Sequence, residues 1–295
     1  MATTKKISAF QVIGILLVAL MLRVLSAVVL GLYIKSAATI DNGSAIIQYA
    51  ILCWLSLRLL REFNLSCQLS IKPVLSAQAF MVAIGIALTL LCFTYGESAL
   101  EVFIVAQSAP LKAYSLWGFH PIPYEVTVSK FNLALIVITQ FIVAPIVEEL
   151  YFRGTLFRAL STKYGGMIAI IIESTIFTSL HFVYEAYLST FIFSFIITLI
   201  YVRYNSIWVN ALCHSVFNTV AFYVEFYTSF HWIRTPECLK NIVCWEPELL
   251  MLLISTPIII FYMINSIRIL QNRHPRFNNS GVACAAPRTS NIQKL

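Results

Sequence analysis

The stretch LALIVITQFIVAPIVEELYFR, Leu133 to Arg153, runs for fifteen uncharged residues and then presents two adjacent carboxylates, Glu148 and Glu149, followed by Arg153. At about 1.5 Å per residue, those fifteen residues cover most of the roughly 30 Å hydrocarbon core of a bilayer. The acids therefore close a membrane helix. A charged side chain at the bilayer centre costs roughly 2.5 to 3.5 kcal/mol. Were Glu148, Glu149 and Glu173 all ionised and facing lipid, the sum of about 8 to 10 kcal/mol would rival the whole stability of an ordinary fold. They must face a bundle interior.

Working outward, the 295-residue chain is 59% hydrophobic and 11% charged, whereas a soluble domain carries about a quarter charged residues. The fold class is all-α, a polytopic membrane helix bundle. Eight apolar stretches approach the roughly 20 residues a crossing helix needs: Phe10 to Tyr33, Ala45 to Leu60, Ala77 to Tyr95, Leu133 to Tyr151, Gly165 to Val183, Leu188 to Val202, Ile207 to Tyr227 and Leu249 to Ile269. The first lacks a convincing small-residue cleavage site and is read as a retained helix. With the amino terminus cytosolic, the cytosolic segments hold 14 Lys and Arg residues and the opposite side five. That bias predicts both termini cytosolic and an integral, multi-pass protein.

The expected organisation is one transmembrane domain over residues 1–271 and a polar, basic, disordered tail over 272–295. The connection from Gly96 to Asn132 mixes an apolar run, Ala99 to Ala106, with three prolines and is expected to lie partly along the membrane surface. The net charge of +7 is spread by topology and forms no stripe suited to nucleic acid. Seven cysteines fit no zinc spacing. Cys238 and Cys244 share a predicted non-cytosolic loop, where a disulfide can persist.

Residues four apart on a helix share a face. Glu149 thus pairs with Arg153, while Glu148 projects elsewhere and is the freer group, a candidate general base. His181 continues a face with Phe177 and Glu173, and Asn210, His214 and Asn218 form a polar stripe on another span. Each motif alone has a plain structural reading: an interfacial helix end for the glutamates, a packing histidine, and interhelical hydrogen bonding for the stripe. Together, an acid, two imidazoles and an amide are the parts that split a peptide bond. Glu148, His181 and His214 also match the ligand types of a catalytic zinc, although no His-Glu-x-x-His is present. Helix counting places His181 further across the membrane than Glu148 and His214, a gap that a bend at Pro145 can narrow.

The ordered set Glu148-Glu149-x-x-x-Arg153, Phe177-x-x-x-His181 and His214-x-x-x-Asn218 resembles the signature of the CAAX-protease and bacteriocin-processing (Abi) family of intramembrane endopeptidases, relatives of type II CAAX prenyl endopeptidases. The resemblance covers about residues 133–227. It implies that Glu148 activates water, that His181 and His214 bind or polarise the reacting groups, and that Asn218 stabilises the oxyanion. Glu149 and Arg153 complete the implied catalytic set, and Glu173 lies outside the family pattern. A divalent metal such as zinc, on Glu148, His181 and His214, and a metal-free mechanism both remain open.

The expected function is hydrolysis of a peptide bond in a hydrophobic, membrane-associated or lipidated protein or peptide, of CAAX or leader type, with membrane lipids as the other partner and no nucleic acid. Two other classes fit a polar bundle interior: a proton- or ion-coupled secondary transporter and a non-catalytic membrane scaffold. Against a transporter stands the absence of an internal repeat.

Overall fold

The computed structural model describes residues 8–62, 76–116, 129–181, 187–228 and 236–278. Its helices are α1 (Ala9–Gly31), α2 (Ala37–Glu62), α3 (Ala77–Ser108), α4 (Pro110–Leu116), α5 (Lys130–Tyr164, interrupted by two π-turns), α6 (Gly166–Leu180), α7 (Tyr187–Tyr204), α8 (Ile207–Thr228), the single turn α9 (Pro236–Leu239) and α10 (Glu246–Asn278). Among the described residues seven helices are long and apolar enough to cross a membrane. The protein is an integral, multi-pass helix bundle.

The eighth expected crossing is the exception. Within Gly165 to Val183 the helix occupies only the 15 residues Gly166–Leu180, and residues 182–183 lie outside the described set. Gly165 sets its start, because a φ of 82° favours a residue without a Cβ. A similar reversal at Asn205, φ 48°, joins α7 to α8.

α7 is the most enclosed span, with 61% of its apolar window buried against 17% for α1 and α10. Around it lies one continuous apolar core to which α1, α2, α3, α5, α6, α8 and α10 all contribute. Ties between helices fix their heights: Tyr151 of α5 donates to the Val12 carbonyl of α1 at 3.0 Å, and Tyr95 of α3 to the Ala221 carbonyl of α8 at 3.2 Å.

Three sequence expectations change. Hydropathy falls at Glu97 and Glu101, which suggests that α3 ends at Tyr95. The helix instead continues unbroken for 32 residues, about 48 Å, so it stands clear of a roughly 30 Å hydrocarbon layer. Ala99 to Ala106 therefore continues the preceding helix instead of forming a separate segment. Ala99, Val102 and Ala106 pack with Ala113, Leu239 and Trp245 in a small second core, beside a disulfide that pairs Cys238 with Cys244. Gly96 lets α3 and α10 touch, since a Cβ there would come within 2.5 Å of the Glu248 carbonyl oxygen and Leu252 Cβ. Second, α2 starts at Ala37 rather than Ala45 because its polar first turns are held by α1. Arg23 donates to Asp41 at 2.8 Å and to Gln48 at 3.2 Å. Third, α10 remains helical to Asn278, past the expected start of the tail at 272. Residues 279–295 lie outside the described set.

Candidate active site

The site begins with a proline. Pro145 has no N–H, so the Phe141 carbonyl loses the donor that an α-helix supplies four residues on. The chain before it widens into a π-turn, Thr139–Val143, in which the Ala144 N–H reaches back to the Thr139 carbonyl. The Gln140 carbonyl is then also without its usual partner. Buried or membrane-embedded carbonyls need donors, and α8 supplies both: the Ser215 hydroxyl donates to Phe141 O, and the Asn218 side-chain amide donates to Gln140 O at 3.1 Å. α8 is thereby clasped to α5 about two turns before the glutamates. A second π-turn, Phe152–Phe157, follows them, where Thr155 caps the Tyr151 carbonyl through its hydroxyl. Such single π-turns inside α-helices recur at functional sites.

Between the two π-turns the carboxylates part. Glu149 and Arg153 form an i, i+4 ion pair at 3.1 Å, both side chains wholly buried. Glu149 Oε1 also faces His214 Nδ1 at 2.9 Å, and its Oε2 accepts from Asn210 at 3.3 Å. Arg153 is enclosed on its other side by Glu173, with Nε 3.6 Å from Oε1. The same Nε donates to the Thr198 hydroxyl at 3.3 Å, and Nη2 donates to the Ser194 carbonyl and hydroxyl at 3.0 and 2.9 Å. Thr198 in turn donates to Glu173 Oε2 at 2.8 Å. The guanidinium also lies 5.1 Å from the Phe177 ring centre. A buried charge persists only when paired and hydrogen-bonded, and this one has a carboxylate on each flank.

The chain of contacts sets the state of His214. Glu149, held by a guanidinium, is an acceptor only, so Nδ1 of His214 carries the proton it donates. In the neutral ring Nε2 is then an acceptor. Nε2 faces Glu148 Oε2 at 3.9 Å, beyond direct hydrogen-bond range and within reach of a bridging group. Glu148 Oε1 accepts from the Tyr49 hydroxyl at 2.7 Å. With 13% of its side chain exposed, against 0% for Glu149, Glu148 is the carboxylate that an outside molecule can meet.

The other histidine stands apart. His181 caps the end of α6, is exposed, and directs Nδ1 to the Phe177 carbonyl at 2.8 Å. Its ring stacks on Phe177 at 4.2 Å between centres. Phe177 meets His214 edge-on at 6.2 Å, so the two imidazoles share one aromatic neighbour without touching the same carboxylate. Among the described residues no three His, Cys, Asp or Glu side chains gather in an arrangement that could hold a metal ion, and Glu148, His181 and His214 are not drawn into one.

Of the residues singled out from sequence, Glu148, Glu149, Arg153 and His214 form one connected group, Asn218 lies one turn along α8, and His181 reaches the group through Phe177. Sequence reasoning missed Tyr49, Ser194 and Thr198, and found no partner for Glu173. Nothing in a single chain's periodicity links α2 or α7 to these acids.

Residues 130–220, which span α5, α6, α7 and most of α8, match the family model described as type II CAAX prenyl endopeptidase Rce1-like. They carry all three motifs. This segment is similar to the Rce1-like CAAX-protease family. A Bacillus subtilis (strain 168) protein named as a candidate membrane peptidase, YdiL, is 35% identical over 85 residues, covering 29% of this chain and 35% of that protein. The chain thus spans about a third of the length of that curated relative. No solved structure matches. The matched segment holds the buried network, and among the described residues Tyr49 reaches it from outside.

Proposed function

We propose that this protein is an intramembrane endopeptidase that hydrolyses a peptide bond in a membrane-associated or lipidated protein or peptide, of CAAX or leader type. The observation that carries the reading is the pairing of a reachable carboxylate, Glu148, with the acceptor face of a histidine whose other nitrogen is fixed by a buried carboxylate. Glu148 takes a proton from water, and the resulting hydroxide attacks the scissile carbonyl carbon. The proton then passes to the leaving amine as the C–N bond breaks. His214 Nε2 orients the water and takes up charge that develops beside it. The Glu149–Arg153–Glu173 network holds that imidazole in one tautomer and one direction, as an orienting acid does in a hydrolytic triad.

In this scheme Asn218 steadies the oxyanion. A primary amide has two donors, and one of them is directed at Gln140 O. His181, exposed at the end of α6, meets the substrate from the opposite motif. Among the described residues no metal site is assembled, and no step is routed through one.

The test is direct. Purified protein in lipid is incubated with farnesylated CAAX peptides and with leader peptides, and products are identified by mass spectrometry. Wild type should yield a defined cut, whereas Glu148→Gln should bind without cutting. Ion or substrate flux across vesicles without peptide products would favour a transporter, and retention of products by Glu148→Gln would end the peptidase reading.

A further inference from the structure

α1 and α2 lie outside the family segment, yet α2 places one oxygen on the proposed base. The Tyr49 hydroxyl donates to Glu148 Oε1 at 2.7 Å, the length of a charge-assisted O–H···O⁻ bond. We propose that Tyr49 is a positioning residue that assigns the two oxygens of Glu148 different jobs, Oε1 as the anchored atom and Oε2 as the atom that meets water. This rests on the reading of Glu148 as the base.

The geometry supports such a division. A glutamate's last torsion is broad and nearly two-fold, so a carboxylate held at neither oxygen rotates freely or closes onto the nearest donor. Here Oε2 stops 3.9 Å short of His214 Nε2, and the bond to Tyr49 holds it back. The gap is the place where a small polar molecule contacts both groups. His214 cannot move to close it, because Nδ1 is fixed by Glu149.

The hydroxyl is presented at a set depth. Arg23 of α1 grips Asp41 and Gln48 of α2, the latter the neighbour of Tyr49. Thr39 of α2 donates to Asn132 at the start of α5 at 2.9 Å, and α1 is tied to α5 through Tyr151 and the Val12 carbonyl. A tyrosine that only needed a partner for a buried hydroxyl could use any carbonyl nearby. This one sits in a hairpin whose register against α5 is fixed at both ends.

Tyr49→Phe removes one oxygen and keeps the ring. On whichever farnesylated CAAX or leader peptide wild type cuts, kcat should fall about ten- to hundredfold, the worth of a hydrogen bond to a charged group, with KM within about twofold and the melting temperature unchanged. In a Glu148→Asp background, where the shorter carboxylate no longer reaches the hydroxyl, Tyr49→Phe should add little. A second readout needs no turnover: the carboxylate stretch of Glu148, isolated as the infrared difference between wild type and Glu148→Gln, should shift in Tyr49→Phe. An unshifted band, or full kcat in Tyr49→Phe while Glu148→Gln is inactive, overturns this proposal and leaves the peptidase reading standing. So does a loss confined to melting temperature. Undiminished cleavage by Glu148→Gln overturns both.

Discussion

Replacing Arg153 by methionine tests whether the buried network is held by charge balance. In the native bundle Glu149 and Glu173 flank one guanidinium, and all three side chains are wholly buried. Counting ionised forms, the trio sums to minus one; without the arginine it becomes minus two, with two carboxylates facing each other across an apolar side chain. Breaking a buried ion pair by removing one partner costs about 3 to 5 kcal/mol, a roughly hundred- to several-thousandfold fall in the folding equilibrium constant. Methionine fills most of the volume, so the loss is electrostatic rather than a cavity. The assay is reversible unfolding in mixed micelles, followed by the fluorescence of Trp245, which is buried against the second core. Adding Glu173→Gln to Arg153→Met restores the sum to minus one and should recover a large part of the loss. An Arg153→Met protein as stable as wild type, or a double variant less stable than Arg153→Met alone, would refute the charge-balance argument.

Other outcomes follow from single contacts. Gly96→Val should destabilise the bundle by about 1 to 3 kcal/mol, since a Cβ overlaps the backbone of α10; the same unfolding assay reads it. Ser215→Ala leaves the Phe141 carbonyl without its donor and should cost about 1 to 3 kcal/mol, with a smaller effect if the π-turn relaxes toward water. Cys238 and Cys244 are paired and should resist a membrane-impermeant maleimide until reduced. After reduction they should label only from the side opposite the Lys- and Arg-rich loops, which checks the orientation as well.

The bundle is legible in the sequence because lipid imposes length and apolarity on every crossing, and the Glu149–Arg153 pair because helical spacing alone brings it together. What stays hidden arrives from other helices. Glu173 finds its charged partner, Arg153, and its shortest hydrogen bond, from Thr198, on α5 and α7 rather than on its own helix. Tyr49 lies about a hundred residues from Glu148 in a stretch with no motif. Pro145 signals a bend, but the way the chain absorbs it, a π-turn whose freed carbonyls are met by α8, depends on a neighbour. The long α3 escapes a hydropathy window because its outer half is helical by packing against Leu239 and Trp245 rather than by crossing lipid.

The shortness of α6 bears on the lipid around the protein. Its 15 residues reach about 22 Å, some 8 Å less than a typical acyl layer, and hydrophobic mismatch of that size is met by bilayer thinning at a modest charge per ångström. His181 stands at the end of this helix, so thinning of that kind, where it occurs, would fall beside the residues proposed to act on substrate. Headgroups and a peptide lying among them then need to sink less far to meet Glu148.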